Sequence, residues 1–129
     1  MQEKIEKLRS LKLLFVEDEQ DLLDIISGAL VKLKANFLTA NNGVEALERL
    51  EENSDIDAVI TDINMPYMNG LEMIKNMKER GLDIPIIVMS AHTETEYLEK
   101  AKEFGVDEYI LKPFDFIKFI DLITSMEIK

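Results

Sequence analysis

A single carboxylate, Asp62, closes the apolar run Ala58–Thr61 and is followed by the pairs Met65-Pro66 and Asn69-Gly70. An acid at the end of a buried strand is costly unless its charge is compensated. Other apolar runs also end in chemically capable side chains: Glu17, Asp18 and Glu19 after Leu13–Val16, Ser90 after Ile84–Met89, and Lys112 with Pro113 after Tyr109–Leu111. Brought to one rim, the carboxylates would repel each other by ~4 kcal/mol per close pair at about 4 Å and an effective dielectric near 20. A hard divalent cation relieves that repulsion, and oxygen-only donors point to magnesium or manganese rather than zinc. The chemistry such a rim supports is phosphoryl transfer. Asp62 can act as nucleophile, the metal and the Lys112 ammonium can neutralise charge, Ser90 can hydrogen-bond a phosphoryl oxygen, and Asn64 can offer its backbone carbonyl to the metal.

The elements that must position these residues are legible as alternation. Five runs of strand length, Leu13–Val16, Phe37–Ala40, Ala58–Thr61, Ile84–Met89 and Tyr109–Leu111, are separated by segments with helical periodicity. Those segments carry Leu22, Ile26, Ala29, Leu30 and Leu33; Val44, Leu47 and Leu50; Leu71, Ile74 and Met77; Tyr97, Ala101 and Phe104; and finally Phe116, Phe119, Ile120 and Ile123. Five strand–helix units predict a parallel sheet with helices on both faces, and the continuous hydrophobicity of the strands agrees. Asn42-Gly43 and Asn69-Gly70 precede helices, and Gly81 and Gly105 end them. In an open parallel sheet the ligand site lies beyond the carboxyl ends of the strands, where the polar residues above fall.

Composition narrows the classes. A chain of 129 residues is long enough for one domain with a full core, and 47% hydrophobic with 32% charged residues is a globular balance. No apolar stretch is long enough to span a bilayer, and Met1–Leu11 mixes charges into its aliphatics unlike a signal peptide. The absence of cysteine excludes disulfides and thiolate sites and fits a reducing cytoplasm. A net charge of -11, from 26 acidic and 15 basic residues, sets a low expectation of nucleic-acid binding. One histidine, His92, excludes multi-histidine metal sites.

The acidic pair after the first run, "DINMPYMNG" after the third, "SA" after the fourth and "KP" after the fifth together resemble the receiver domain of bacterial two-component response regulators. The resemblance runs from Leu11 to about Ile128 and leaves 1–10 as an N-terminal arm or short helical extension before a domain over 11–129. It implies a flavodoxin-like, doubly wound α/β fold with strand order 2-1-3-4-5. It implies Asp62 as phosphoacceptor, with Asp18 and Asp62 binding Mg2+ (or Mn2+) directly, the Asn64 carbonyl completing the protein ligands and Glu17 acting through water. Ser90 and Tyr109 resemble the family's switch pair, Lys112 its phosphate-contacting lysine, and Pro113 a proline usually preceded by a cis bond. Glu17 stands where many receivers have Asp. The implied partners are a histidine kinase or phosphotransfer protein, and a downstream protein or second copy met through helix four, strand five and helix five of the repeat.

Each stretch taken singly also has a plain explanation. "MPYMNG" fits a turn and helix start, Lys112-Pro113 a loop, and the acidic run a solvated helix N-terminus. Tyr109 could be core, and His92 either an exposed loop residue or a neighbour of the phosphoryl group. Ile5, Leu8 and Leu11 fit an extra packed turn, a dimer contact or a frayed arm. What outweighs these is the coincidence at successive strand ends. The sequence therefore predicts a phosphorylation switch with only self-phosphorylating and self-dephosphorylating activity. An aspartate-nucleophile phosphatase needs a general acid two residues after the nucleophile, where Asn64 stands. A phosphorylation-independent module would not need the full set of groups. Two expectations concern later elements. Lys112, read as a rim lysine, should matter little for stability. The last helix carries apolar residues beyond one stripe, Ile117, Leu122 and Met126, some of them exposed.

Overall fold

The computed structural model describes residues 2–90, 95–106, 108–112 and 115–126, with backbone alone at 90 and 95. Five parallel strands form one sheet in the order β2-β1-β3-β4-β5: β1 Lys12–Val16, β2 Asn36–Ala40, β3 Ala58–Asp62, β4 Ile86–Ser90 and β5 Glu108–Leu111. Among the described residues six helices accompany them: α1 Gln2–Ser10, α2 Gln20–Lys32, α3 Gly43–Glu52, α4 Gly70–Glu79, α5 Thr95–Glu103 and α6 Phe116–Ser125. Helices four and five of the sequence repeat are thus α5 and α6.

Side chains alternate across each strand, and the two faces build two cores. Leu14, Val16 and Val59 face α3, α4 and α5 with Leu47, Ile74, Met77 and Ala101. Leu13, Phe15, Ile60 and Met89 face α2 and α6 with Ile26, Leu30, Phe119 and Ile123. The rings of Phe15 and Phe119 meet edge to face at 5.4 Å between centroids. Because β1 has β2 on one side and β3 on the other, the connections leaving them diverge to opposite faces, and a crevice opens at the carboxyl ends of β1 and β3.

The strands start or end within two residues of the apolar runs. β4 begins at Ile86, because Pro85 lacks an N–H and its carbonyl instead accepts from Val59 at 2.9 Å. Helix starts follow their caps. Asn42 accepts from Glu45 N, and Asn69 forms a reciprocal capping box with Glu72.

At the N-terminus, Gln2–Ser10 is helical and packed on the domain, with Leu8 fully buried and Leu11 only 4% exposed. Both belong to the core cluster against which Leu122 and Met126 pack, so the apolar surplus of α6 reduces to Ile117, 63% exposed. Among the described residues no helix is long and apolar enough to cross a membrane.

Candidate functional site

Asp62 is the last residue of β3, 5% exposed, with a hydrogen bond to each carboxylate oxygen. Ile63 N donates to Oδ1 at 2.8 Å, and Lys112 Nζ donates to Oδ2 at 2.9 Å. Glu17 follows β1, where its backbone N–H still pairs with Ala40 O at 3.0 Å, and its side chain is fully buried. Oε2 accepts from Glu19 N at 3.1 Å, while Oε1 is buried with no hydrogen bond among the described residues and has the Lys112 ammonium at 3.2 Å. Asp18, exposed at the mouth, completes a triad with Glu17 and Asp62 whose carboxylate oxygens lie within 4.8 Å of one another.

Burial pushes the Glu17 carboxyl up to about 7, reinforced by the Asp62 charge and opposed by the Glu19 N–H and the Lys112 cation. Burial alone would lower the Lys112 pKa, but the hydrogen bond and charge of Asp62, then Glu17, carry it above its ordinary value. One ammonium thus holds two buried acids together. Lys112 is only 24% exposed in its side chain, so its reading as an exposed rim lysine is corrected: it is partly buried, as the counter-charge to two buried carboxylates.

A divalent cation fits this donor set. Among the described residues a buried carboxylate oxygen lacks a hydrogen bond, three carboxylates converge, and the donors are hard oxygens. Asn64, exposed beside them, follows Ile63 on the loop after β3.

The structure brings Glu17, Asp18, Asp62 and Lys112 together. The backbone of Ser90 ends β4 opposite Leu111, and Tyr109 lies opposite Val88, 48% exposed, so Tyr109 is not a core residue. The Ser90 side chain, His92 and Pro113 lie outside the described residues.

Sequence reasoning missed what holds the loop after Asp62. Gly70 N donates to Ile63 O at 2.8 Å, and a Cβ at Gly70 would lie 2.3 Å from Asp62 O. The start of α4 therefore rests on the backbone of the acid itself. Gly43 packs against Met68 in the same way, where a Cβ would meet the Met68 side chain at 2.7 Å. Tyr67, between them in sequence, sits at φ 67°, a left-handed conformation strained for an aromatic residue, with 89% of its surface exposed. The Asn-Gly pair was visible in the sequence, but its close approach to Asp62 was not.

Comparison with known proteins places these features in company. The model of the response regulator receiver domain matches residues 13–124. Response regulator SaeR of Staphylococcus aureus is 36% identical over 119 residues, covering 89% of this chain and 51% of SaeR. The chain thus spans about half the length of the curated relatives it matches. A response regulator receiver domain from Clostridium thermocellum superposes with a TM-score of 0.81 at 28% identity, covering 89% of this chain and 92% of that one. A chain of the CheX–CheY complex with BeF3 and Mg2+ from Borrelia burgdorferi gives 0.81 at 26% identity, covering 92% and 90%.

Proposed function

The chain belongs to the response regulator receiver domain family, and we propose from that premise that it is a phosphorylation switch whose acceptor is Asp62. The observation that carries this reading is the Asp62 carboxylate at the end of β3, clasped by Lys112 and flanked by the buried acid Glu17, which the same ammonium faces. Asp18, Asp62 and the Asn64 carbonyl would hold Mg2+, or Mn2+, with Glu17 acting through water. When bound, the metal neutralises charge on the phosphoryl oxygens.

The chain's own residues do the rest. An Asp62 oxygen forms a bond to phosphorus as the donor's P–N bond breaks, the electron pair leaving with the imidazole nitrogen of a histidine kinase or phosphotransfer protein. Lys112 passes its hydrogen bond from Asp62 to the phosphoryl group, and Ser90 binds a second phosphoryl oxygen. Later attack of water on phosphorus releases phosphate and restores the carboxylate, so the only turnover is on the protein itself. The output is a protein partner or a second copy, met through α5, β5 and α6, where Tyr97, Tyr109, Leu111 and Ile117 are exposed. A cysteine-free, acidic chain fits a cytoplasmic setting without nucleic acid as a direct ligand.

Acetyl phosphate with Mg2+ tests the acceptor without a kinase. Wild type should gain one phosphoryl group by intact mass spectrometry, and Asp62→Asn or excess chelator should abolish it. Full labelling of the Asn variant would overturn the assignment.

A further inference from the structure

Backbone hydrogen bonds tie down the loop between Asp62 and α4. Gly70 N donates to Ile63 O at 2.8 Å at its base, Met68 N donates to Pro66 O at 2.7 Å, and Gly43 N donates to Met68 O at 3.0 Å. The bond from Met68 back to Pro66, with Tyr67 between them at φ 67°, makes a γ-turn of the strained, positive-φ kind. Glycine takes such a conformation freely and asparagine at little cost, whereas tyrosine is unfavourable there. Packing within the fold does not offset that cost, since 89% of Tyr67 is exposed. A large aromatic side chain is thus held out at a strained apex from which the core gains nothing, and an outlier of this kind points to a use outside the folded chain.

The apex stands on the carboxyl edge of the sheet. Met68 is bonded to Gly43, the first residue of α3, and α3 follows β2. Val44, next to Gly43, is 44% exposed, and Pro66 is exposed as well, so three apolar residues surround that bond on a rim that also presents Asp18, Glu19 and Asn64. A Cβ at Gly70 would lie 2.3 Å from Asp62 O, and the stretch from Gly70 back to Tyr67 reaches at most ~10 Å, so Tyr67 stands within roughly 15 Å of the Asp62 backbone. Helices cover both faces of the sheet and Asp62 is 5% exposed, so a protein that reaches it must approach along this edge. An ordinary protein contact covers about 800 Å² per partner, a patch roughly 16 Å in radius, and one centred on Asp62 takes in Tyr67.

We propose that Tyr67 is a docking anchor for the histidine-bearing protein that delivers the phosphoryl group, its ring entering an apolar recess beside the donor histidine, with Val44 and Pro66 at the border of the contact. A buried tyrosine with near-neutral neighbours is a common form of interface hot spot. A small donor such as acetyl phosphate is too short to touch Asp62 and Tyr67 together, so Tyr67 separates protein donors from small ones without taking part in the chemistry.

This inference rests on the phosphoacceptor reading above, and its test keeps the two apart. Histidine kinases and phosphotransfer proteins of the source organism, purified and phosphorylated on histidine, are screened against the wild-type chain, and the one that transfers fastest is the donor probe. Single-turnover transfer is measured against donor concentration for wild type, Tyr67→Phe and Tyr67→Asn, with acetyl phosphate labelling and urea denaturation alongside. The anchor predicts a half-saturating donor concentration roughly ten- to thirtyfold higher for Tyr67→Asn at a maximal rate near wild type, with Tyr67→Phe close to wild type. Acetyl phosphate labelling should be unchanged in both variants, and the urea midpoint of Tyr67→Asn should rise as the strain is relieved. Saturation of Tyr67→Asn at the wild-type concentration would overturn the proposal and leave Tyr67 to a second copy or an output protein. An equal slowing with acetyl phosphate would overturn it too, by showing a disturbed loop, as would the absence of any protein donor for a chain that acetyl phosphate labels. Failure of acetyl phosphate to label wild type would instead remove the phosphoacceptor reading and this inference with it.

Discussion

Glu17 and Lys112 place the tension of the site in two side chains. The Glu17 carboxyl is raised to about 7, so between its ordinary value near 4.5 and about 7 the folded protein holds a proton that the unfolded chain does not. Its contribution to stability is therefore fully present below pH 4.5 and is lost as pH rises through about 7. In chelator, the urea midpoint of wild type should fall from pH 5 to pH 8 relative to that of Glu17→Gln. The variant should be more stable at about pH 8 by on the order of 1–3 kcal/mol, while binding Mg2+ more weakly. Parallel pH profiles for the two proteins would show that Glu17 is not the strained group. Lys112→Ala removes the counter-charge instead. Metal-free protein should lose about 2–3 kcal/mol, less than for a fully buried pair because the ammonium is partly solvated. Saturating Mg2+ should restore part of that stability but not phosphorylation-dependent signalling. A melting temperature equal to wild type in chelator would contradict the counter-charge role.

The start of α4 is where an element rests on the backbone of the proposed acceptor. Asn69 and Gly70 are neighbours with different duties, one capping the helix and the other letting it approach the Asp62 backbone. Asn69→Ala should cost about 1 kcal/mol in thermal or urea denaturation, the usual loss for a cap, and leave acetyl phosphate labelling near wild type. Gly70→Ala forces a Cβ against Asp62 O and Ile63 Cα, backbone atoms that cannot rotate away. It should cost about 1–3 kcal/mol and also slow labelling, since the helix or the acid must move. Equal labelling rates in both variants would mean that the close approach does not govern the site.

On the scale of the whole domain, the proposed output through the α5–β5–α6 face requires a charge event at Asp62 to reach it. Tyr109 is 48% exposed and borders a shallow hollow that Val88, Leu98, Ala101 and Val106 also line. If Tyr109 acts as the switch partner that the resemblance implies, its ring turning toward that hollow presses on Leu98 and Ala101 of α5 and converts a rotamer change into a change of surface. Beryllofluoride should therefore move amide resonances of Tyr109, α5 and α6 as well as those around Asp62, and sedimentation should show whether a second copy associates. With a net charge of -11, any self-association through this face should strengthen as salt screens the repulsion. Shifts confined to the rim around Asp62 would sink this route.

The sequence by itself determined the alternation of strands and helices, because apolar runs and 3.6-residue periodicity are local properties of the chain. It also determined which polar residues end which strands, and hence that Glu17, Asp18, Asp62 and Lys112 would meet, since parallel strands bring all their carboxyl ends to one edge. Helix caps at Asn42 and Asn69 were legible for the same reason. Only the tertiary structure decided the partial burial of Lys112, whose bridge to two acids depends on the distance between β1, β3 and the end of β5. The fate of the first ten residues was likewise open in sequence, where Leu8 reads as core, interface or frayed end, and fraying is the usual fate of a terminus. Its burial, and the seats of Lys7 and Arg9 on two helix ends, depend on where α2 and α6 stop in space, which no local pattern encodes.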